Sequence, residues 1–159
     1  MKLRNVLAAI GFVILTSCGD APPKAAAPEP AHKAEVPKPA DESRRFPAEN
    51  QTGTSVVDKE LLGKAFMPGG TLAKYKKGKA EYEMFVAKAA TPTDAAILLL
   101  EWKNALTGAK LIPSFGGYFG QDGGRGVFVF TKGAWIAGIA GLSEKDADAQ
   151  GRIFAARLP

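Results

Sequence analysis

The sequence predicts an α+β fold: an antiparallel sheet of about five strands with helices packed on one face. Three observations lead there. Between Ala80 and Ala89, Tyr82, Met84 and Val86 share one side while Glu81 and Glu83 take the other, the period-two alternation of a half-buried strand. The last third carries three strand-like runs separated by the turn segments Gln121-Asp122-Gly123-Gly124-Arg125 and Lys132-Gly133. Between the two regions lies a single apolar helix, from Asp94 to about Leu106. Neighbouring strands joined by short turns imply antiparallel pairing, with the helices supplying a cover.

The expected elements run in this order. Ser55-Val56-Val57-Asp58 has a capping residue with an acid three positions on. Val57, Leu61, Leu62 and Phe66 follow at near-helical spacing, which predicts a short helix over 56–65. Met67-Pro68-Gly69-Gly70 ends it. Thr71–Lys76 and Ala80–Ala89, around Lys77-Gly78-Lys79, read as a hairpin. Lys74, Lys76, Lys77 and Lys79 belong to its solvated face and turn.

Thr91-Pro92-Thr93-Asp94 is a helix start: a hydroxyl cap, a proline at the first helical position and an acid in the first turn. Ala95, Leu98, Leu99, Trp102 and Leu106 give this helix a broad apolar face, so it is expected to lie mostly covered on the sheet. Strands are expected over 115–119, 126–131 and 134–142. A last helix opens at Ser143-Glu144-Lys145-Asp146 and buries Ala147, Phe154 and Leu158. Trp102 and Trp135 read as core.

Ahead of this domain, which the pattern begins near Gly53, the chain has a different character. Ala21-Pro22-Pro23-Lys24-Ala25-Ala26-Ala27-Pro28-Glu29-Pro30, followed by Pro37, Pro39 and Pro47, cannot bury enough apolar surface to offset its ordering entropy. Residues 18–52 are therefore expected to be a tether, stiffened by proline toward about 3.1 Å per residue. The first 17 residues read as a signal peptide. Lys2 and Arg4 are basic, Val6–Leu15 is uncharged, and Thr16 and Ser17 are small. The apolar run is shorter than the roughly 20 residues of a spanning helix.

Leu15-Thr16-Ser17-Cys18 resembles the lipobox of bacterial lipoproteins. The resemblance covers about the first twenty residues. It implies a diacylglyceryl group on the Cys18 thiol, cleavage before Cys18, and attachment to the membrane through that lipid. Two acyl chains suffice for stable anchoring where one does not. Gly19, rather than an aspartate, follows the cysteine, which in that family leans toward the outer membrane, facing the periplasm, in a cell that has one. Two other readings of Cys18 are an inert residue of an ordinary signal and an intermolecular disulfide.

Composition narrows the chemistry. The formal charge is +5, and cleavage removes Lys2 and Arg4, which takes it to +3. The basic residues are interspersed with acids, so nucleic acid is not expected as a partner. Cys18 is the single cysteine, and the single histidine, His32, falls in the tether. The domain thus lacks the residues for serine–histidine or cysteine–histidine catalysis and for zinc sites built on those ligands. No cofactor is expected.

The glycine-rich run Phe115–Gly126 fits neither phosphate-binding fingerprint. It reads as a twisted hairpin, or as a partner-facing edge presenting Tyr118, Phe119 and Arg125. Asp146-Ala147-Asp148 lacks the closing glutamate of a calcium loop, Glu81 and Glu83 read as solvated strand positions, and Ser114 as a turn residue. The functional expectation is a lipid-anchored envelope protein that binds another envelope protein without catalysis. The alternative is a small-ligand binder with a pocket between sheet and helices, and an enzyme ranks third.

Overall fold

The computed structural model describes residues 38–159. The expected signal peptide, with Leu15, Thr16, Ser17 and Cys18, and most of the expected tether, with His32, lie outside the described residues. Seven strands form one wholly antiparallel sheet: β1 (Gln51–Lys59), β2 (Pro68–Lys77), β3 (Ala80–Lys88), β4 (Thr107–Ile112), β5 (Gly117–Asp122), β6 (Arg125–Lys132) and β7 (Trp135–Ala140). The spatial order is β1-β2-β3-β7-β6-β5-β4. Helix α1 (Pro92–Ala105) links β3 to β4, and α2 (Glu144–Ala155) follows β7.

The turns form for local reasons. Gly78 joins β2 to β3 at φ 62°. Gly123 and Gly124 join β5 to β6 at φ 58° and 84°, the left-handed pair that matches strand twist. Thr91 Oγ1 accepts the Asp94 N–H at 3.1 Å and caps α1, while Ser143 does the same for Asp146 at the start of α2.

Two expectations about these elements are corrected. The helix predicted over 56–65 is absent: 51–59 is strand, then a short 3-10 turn at Leu61–Gly63. Val57, Leu61, Leu62 and Phe66 do pack inward, but from a strand, a turn and a loop rather than from one helix face. Glu60 and Leu62 adopt left-handed φ of 55° and 57°, which no α-helix admits. The strand count also rises from about five to seven, because β1 and β4 were missed. Both are edge strands with largely exposed side chains, so neither shows an alternating apolar signature.

The helices lie on opposite faces of the sheet, not on one. Successive strand residues point to opposite faces. Phe85, Ala87, Val127, Val129, Ile136 and Ala140 pack with Leu99 and Trp102 of α1. Met84, Val86, Phe128, Phe130, Ala137 and Ile139 pack with Ala147 and Phe154 of α2. The central strands β3, β6 and β7 are thus apolar on both sides, and burying both sides takes a layer on each.

The folded part also begins before Gly53. Phe46 is buried and stacks on Phe154 with ring centroids 5.1 Å apart. The Glu42 N–H donates to Thr71 Oγ1 at 3.0 Å, Tyr75 Oη donates to the Pro47 carbonyl at 2.7 Å, and Arg157 Nε donates to the Arg45 carbonyl at 3.0 Å. Residues 39–47 therefore lie across the α2 face of β2 and belong to the domain. Pro39 and Pro47 misled the composition argument, since a stiff extended segment also suits a strap laid over a sheet.

Candidate functional site

Beneath α1 the space is filled with side chains. Trp102 is fully buried, with its ring centroid 5.7 Å from Phe85 and 5.5 Å from Phe66, and its Nε1 donates to Met67 Sδ at 3.1 Å. Lys64 sits over the same indole at 5.5 Å and pairs with Asp122 at 2.7 Å, which ties the β1–β2 connection to the β5–β6 turn. Candidate surfaces therefore lie on the outside of the domain.

The structure separates the three residues expected to share one surface. Tyr118 and Phe119 are neighbours on β5 and so point to opposite faces. Tyr118 packs toward the α1 face, with Lys103 Nζ 5.5 Å from its ring centroid; Phe119 packs against the α2-side core. Both are half-buried. Arg125 opens β6 and reaches across β7, where its Nη2 meets Glu83 Oε2 at 2.7 Å and the Ala140 carbonyl at 3.0 Å. The glycine-rich run therefore behaves as a hairpin. Gly126 leaves room for the Phe119 ring, 3.1 Å from where a β-carbon would sit.

Arg125 belongs to a different group. The end of the α1 face that α1 leaves open carries Thr52, Lys74, Lys76, Glu81, Glu83 and Arg125 around a groove of about 530 Å3. Its charges are mostly spoken for: Lys76 pairs with Glu81 at 2.8 Å and Arg125 with Glu83 at 2.7 Å. Hydrogen bonding to Lys76, then its charge, holds the Glu81 carboxyl below its usual range, and Glu81 raises Lys76 in return. Glu81 is solvated as expected, whereas Glu83 is partly covered. Two paired carboxylates each bound to a cation are poorly placed for acid–base work, which needs one carboxyl free to carry a proton.

On the α2 face, Tyr75 and Tyr82 stack with centroids 4.9 Å apart and planes 9° from parallel. Burial raises both phenol pKa values above the ordinary one. Asp148 pairs with Arg152 at 3.1 Å and also receives the Ser114 hydroxyl at 3.3 Å, so the calcium-like Asp146-Ala147-Asp148 segment is ordinary amphipathic helix, with Ala147 turned to the core, and Ser114 is a turn residue. Among the described residues, no group of three or more potential ligands is placed to hold a metal ion.

A surface that the sequence reading missed is the outer side of α1. Only Ala95, Leu99 and Trp102 of this helix are buried, while Ile97 and Leu100 are 52% and 51% exposed. Ile97 borders an open groove of about 470 Å3 lined also by Phe66, Pro68, Ala89, Ala90 and Leu98, together with Lys88 and Asp94. The expected broad apolar face exists, but the flat sheet covers only its central stripe. A signal was available: at about 100° per residue, Ile97 lies about 160° around the helix from Ala95 and Leu99, and Leu100 about 140° and 100° from them, toward the side away from the sheet.

No family model, curated protein or solved structure matches this chain.

Proposed function

We propose that the protein is a lipid-anchored lipoprotein of the bacterial cell envelope whose domain is a non-enzymatic protein-interaction module. Anchoring rests on the signal layout and on Leu15-Thr16-Ser17-Cys18. Among the described residues no helix is long and apolar enough to cross a membrane. The observation that carries the docking role is the outer side of α1. Ile97 stands half in solvent at the border of an apolar groove, and Leu100 and Glu101 are exposed on the same helix. A contiguous exposed apolar patch with a polar rim is the mark of a protein contact. The partner that fits is an envelope protein offering an apolar ridge with a basic flank.

The small-ligand alternative draws on the groove around Lys74 and Arg125, whose size suits a small molecule. Its walls are polar and ion-paired, which weakens that reading, because a ligand would have to break existing pairs.

Crosslinking in intact cells, followed by purification and mass spectrometry, tests the proposal. One dominant envelope partner, lost in Ile97→Glu and Leu100→Glu and kept in Tyr118→Ala, is the expected result. A small molecule released from the denatured protein, with no partner captured, would transfer the role to the groove. Anchoring is read separately: Cys18→Ala should leave uncleaved precursor or move the protein out of the membrane fraction. Unchanged processing and attachment would sink the lipid anchor.

A further inference from the structure

The two edges of the sheet are built differently. At the β4 edge the strand is short, its register slips between Thr107 and Lys110, Gly108 turns to φ 65°, and Lys110 reaches over to Glu144 at 2.8 Å. Bulges, short length and charged side chains are the usual guards against edge pairing. On the β1 edge such guards stand only at the ends: a register shift between Gln51 and Gly53, and the charges of Asp58 and Lys59. The strand is nine residues long, and Gln51-Thr52-Gly53-Thr54-Ser55-Val56-Val57 contains no charge and no proline. Its register is regular from Gly53 to Lys59, and its side chains are exposed along most of its length.

The phase of its free hydrogen-bonding groups can be read directly. The Glu60 N–H donates to the Met67 carbonyl at 3.1 Å, and the Asp58 carbonyl abuts Gly69. Alternation along an antiparallel pair then turns the backbone groups of Thr54, Val56 and Asp58 toward β2, and those of Gly53, Ser55 and Val57 outward.

We propose that the protein forms a two-fold dimer by antiparallel pairing of β1 with β1 of a second copy, centred on Ser55, so that one sheet runs through both domains. The occupant is a second copy because this strand complements itself. With Ser55 opposite Ser55 of the second copy, Val57 lies opposite Gly53 and Val56 opposite Thr54. A two-fold contact requires such reciprocity. Along the regular run from Gly53 to Val57 no charged residues face each other. Gly53 leaves open space where a β-carbon would stand, next to the half-buried Val57 of the other copy. The three outward residues of each strand supply about six backbone hydrogen bonds across the axis. This inference rests on the strand edge and not on the α1 surface or the lipid.

The test uses the full-length protein in its own envelope. Ser55→Cys would bring two thiol-bearing residues to a Cα separation of about 5.5 Å across the axis, within the about 4.4–6.8 Å that a disulfide spans. Mild oxidation of intact cells should give a disulfide-linked dimer on a non-reducing gel, whereas Ile97→Cys should not. In the detergent-purified full-length protein, sedimentation should find a dimer. Ser55→Pro removes two of the cross-axis bonds and should weaken that dimer about 30-fold, at about 1 kcal/mol per bond. Ser55→Lys sets two like charges face to face and should shift it the same way without touching the β1–β2 ladder. Any of three results would overturn the proposal: a monomeric wild type, equal crosslinking from position 97, or a dimer indifferent to both the proline and the lysine variant. In the Ser55→Cys protein, capture of the new thiol by a different protein, or its shielding by the chain's own N-terminal segment in a monomer, would overturn it too. Fractionation of the same cells reports anchoring independently.

Discussion

Tyr75 shows how much one side chain can couple. Its ring stacks on Tyr82, its hydroxyl donates to the Pro47 carbonyl, and burial lifts its pKa above the ordinary phenol value. A raised folded-state pKa means that the native state holds the phenol proton more tightly than the unfolded chain. That stability is fully present below the ordinary value of about 10 and is lost as pH rises beyond it toward the folded-state value. Tyr75→Phe should therefore cost about 1 kcal/mol at pH 7 through the lost hydrogen bond. Above pH 10 it should lose stability less steeply than the wild type, with Tyr82 supplying the residual slope. Urea titrations at pH 8, 10 and 11 read this, and parallel pH slopes for the two proteins would refute it. Gly138 makes a complementary point. A β-carbon there would collide with the Phe85 ring and the Phe128 carbonyl, whereas one at Gly53 would meet nothing within 4 Å. Gly138→Ala should cost about 1–3 kcal/mol by overpacking, and Gly53→Ala should stay within about 0.5 kcal/mol of wild type. Equal denaturation midpoints would show that Phe85 does not lie over β7 as described.

Among the elements, α1 is anchored by a narrow stripe and leaves its outer side free. Ile97→Glu should change stability by no more than about 0.5 kcal/mol, because the side chain already stands half in solvent. A thermal melt beside the crosslinking assay separates a binding defect from a folding defect, and a large drop in melting temperature would mean that Ile97 is core. This element also marks the limit of the sequence reading. The start at Thr91-Pro92, the inward Trp102 and the hairpin turns at Gly78 and Gly123-Gly124 were all legible, because each depends on residues adjacent in the chain. β1 was read as helix because Val57, Leu61, Leu62 and Phe66 mimic helical spacing across what is a strand, a left-handed kink and a loop. Spacing records which residues go inward, not the path that takes them there. Tyr118, Phe119 and Arg125 do not come together on one surface for a simpler reason. Adjacent strand residues cannot share a face, and Arg125 is drawn across β7 to Glu83, 42 positions away in the chain.

The described domain is a sheet covered on both sides, with residues 39–47 laid over it as a strap. Phe46 links that strap to α2 through Phe154, and Arg45 sits 4.4 Å over the Trp135 ring. Phe46→Ala should cost about 3–5 kcal/mol, as for a buried aromatic. A cost near zero in denaturation experiments would show that the strap is not part of the fold and would return the domain boundary to Gly53.

Local sequence was enough for the α+β class, the cap of each helix, the glycine turns and the buried tryptophans. These follow from neighbours in the chain or from the apolar character of one segment. Folding in three dimensions was needed to place the helices on opposite faces, to bring residues 39–47 into the domain, to set Arg125 against Glu83, and to leave β1 at the end of the sheet. Each depends on which strands become neighbours. That choice is made by burying two apolar faces at once, a sum over the whole chain that no local window contains.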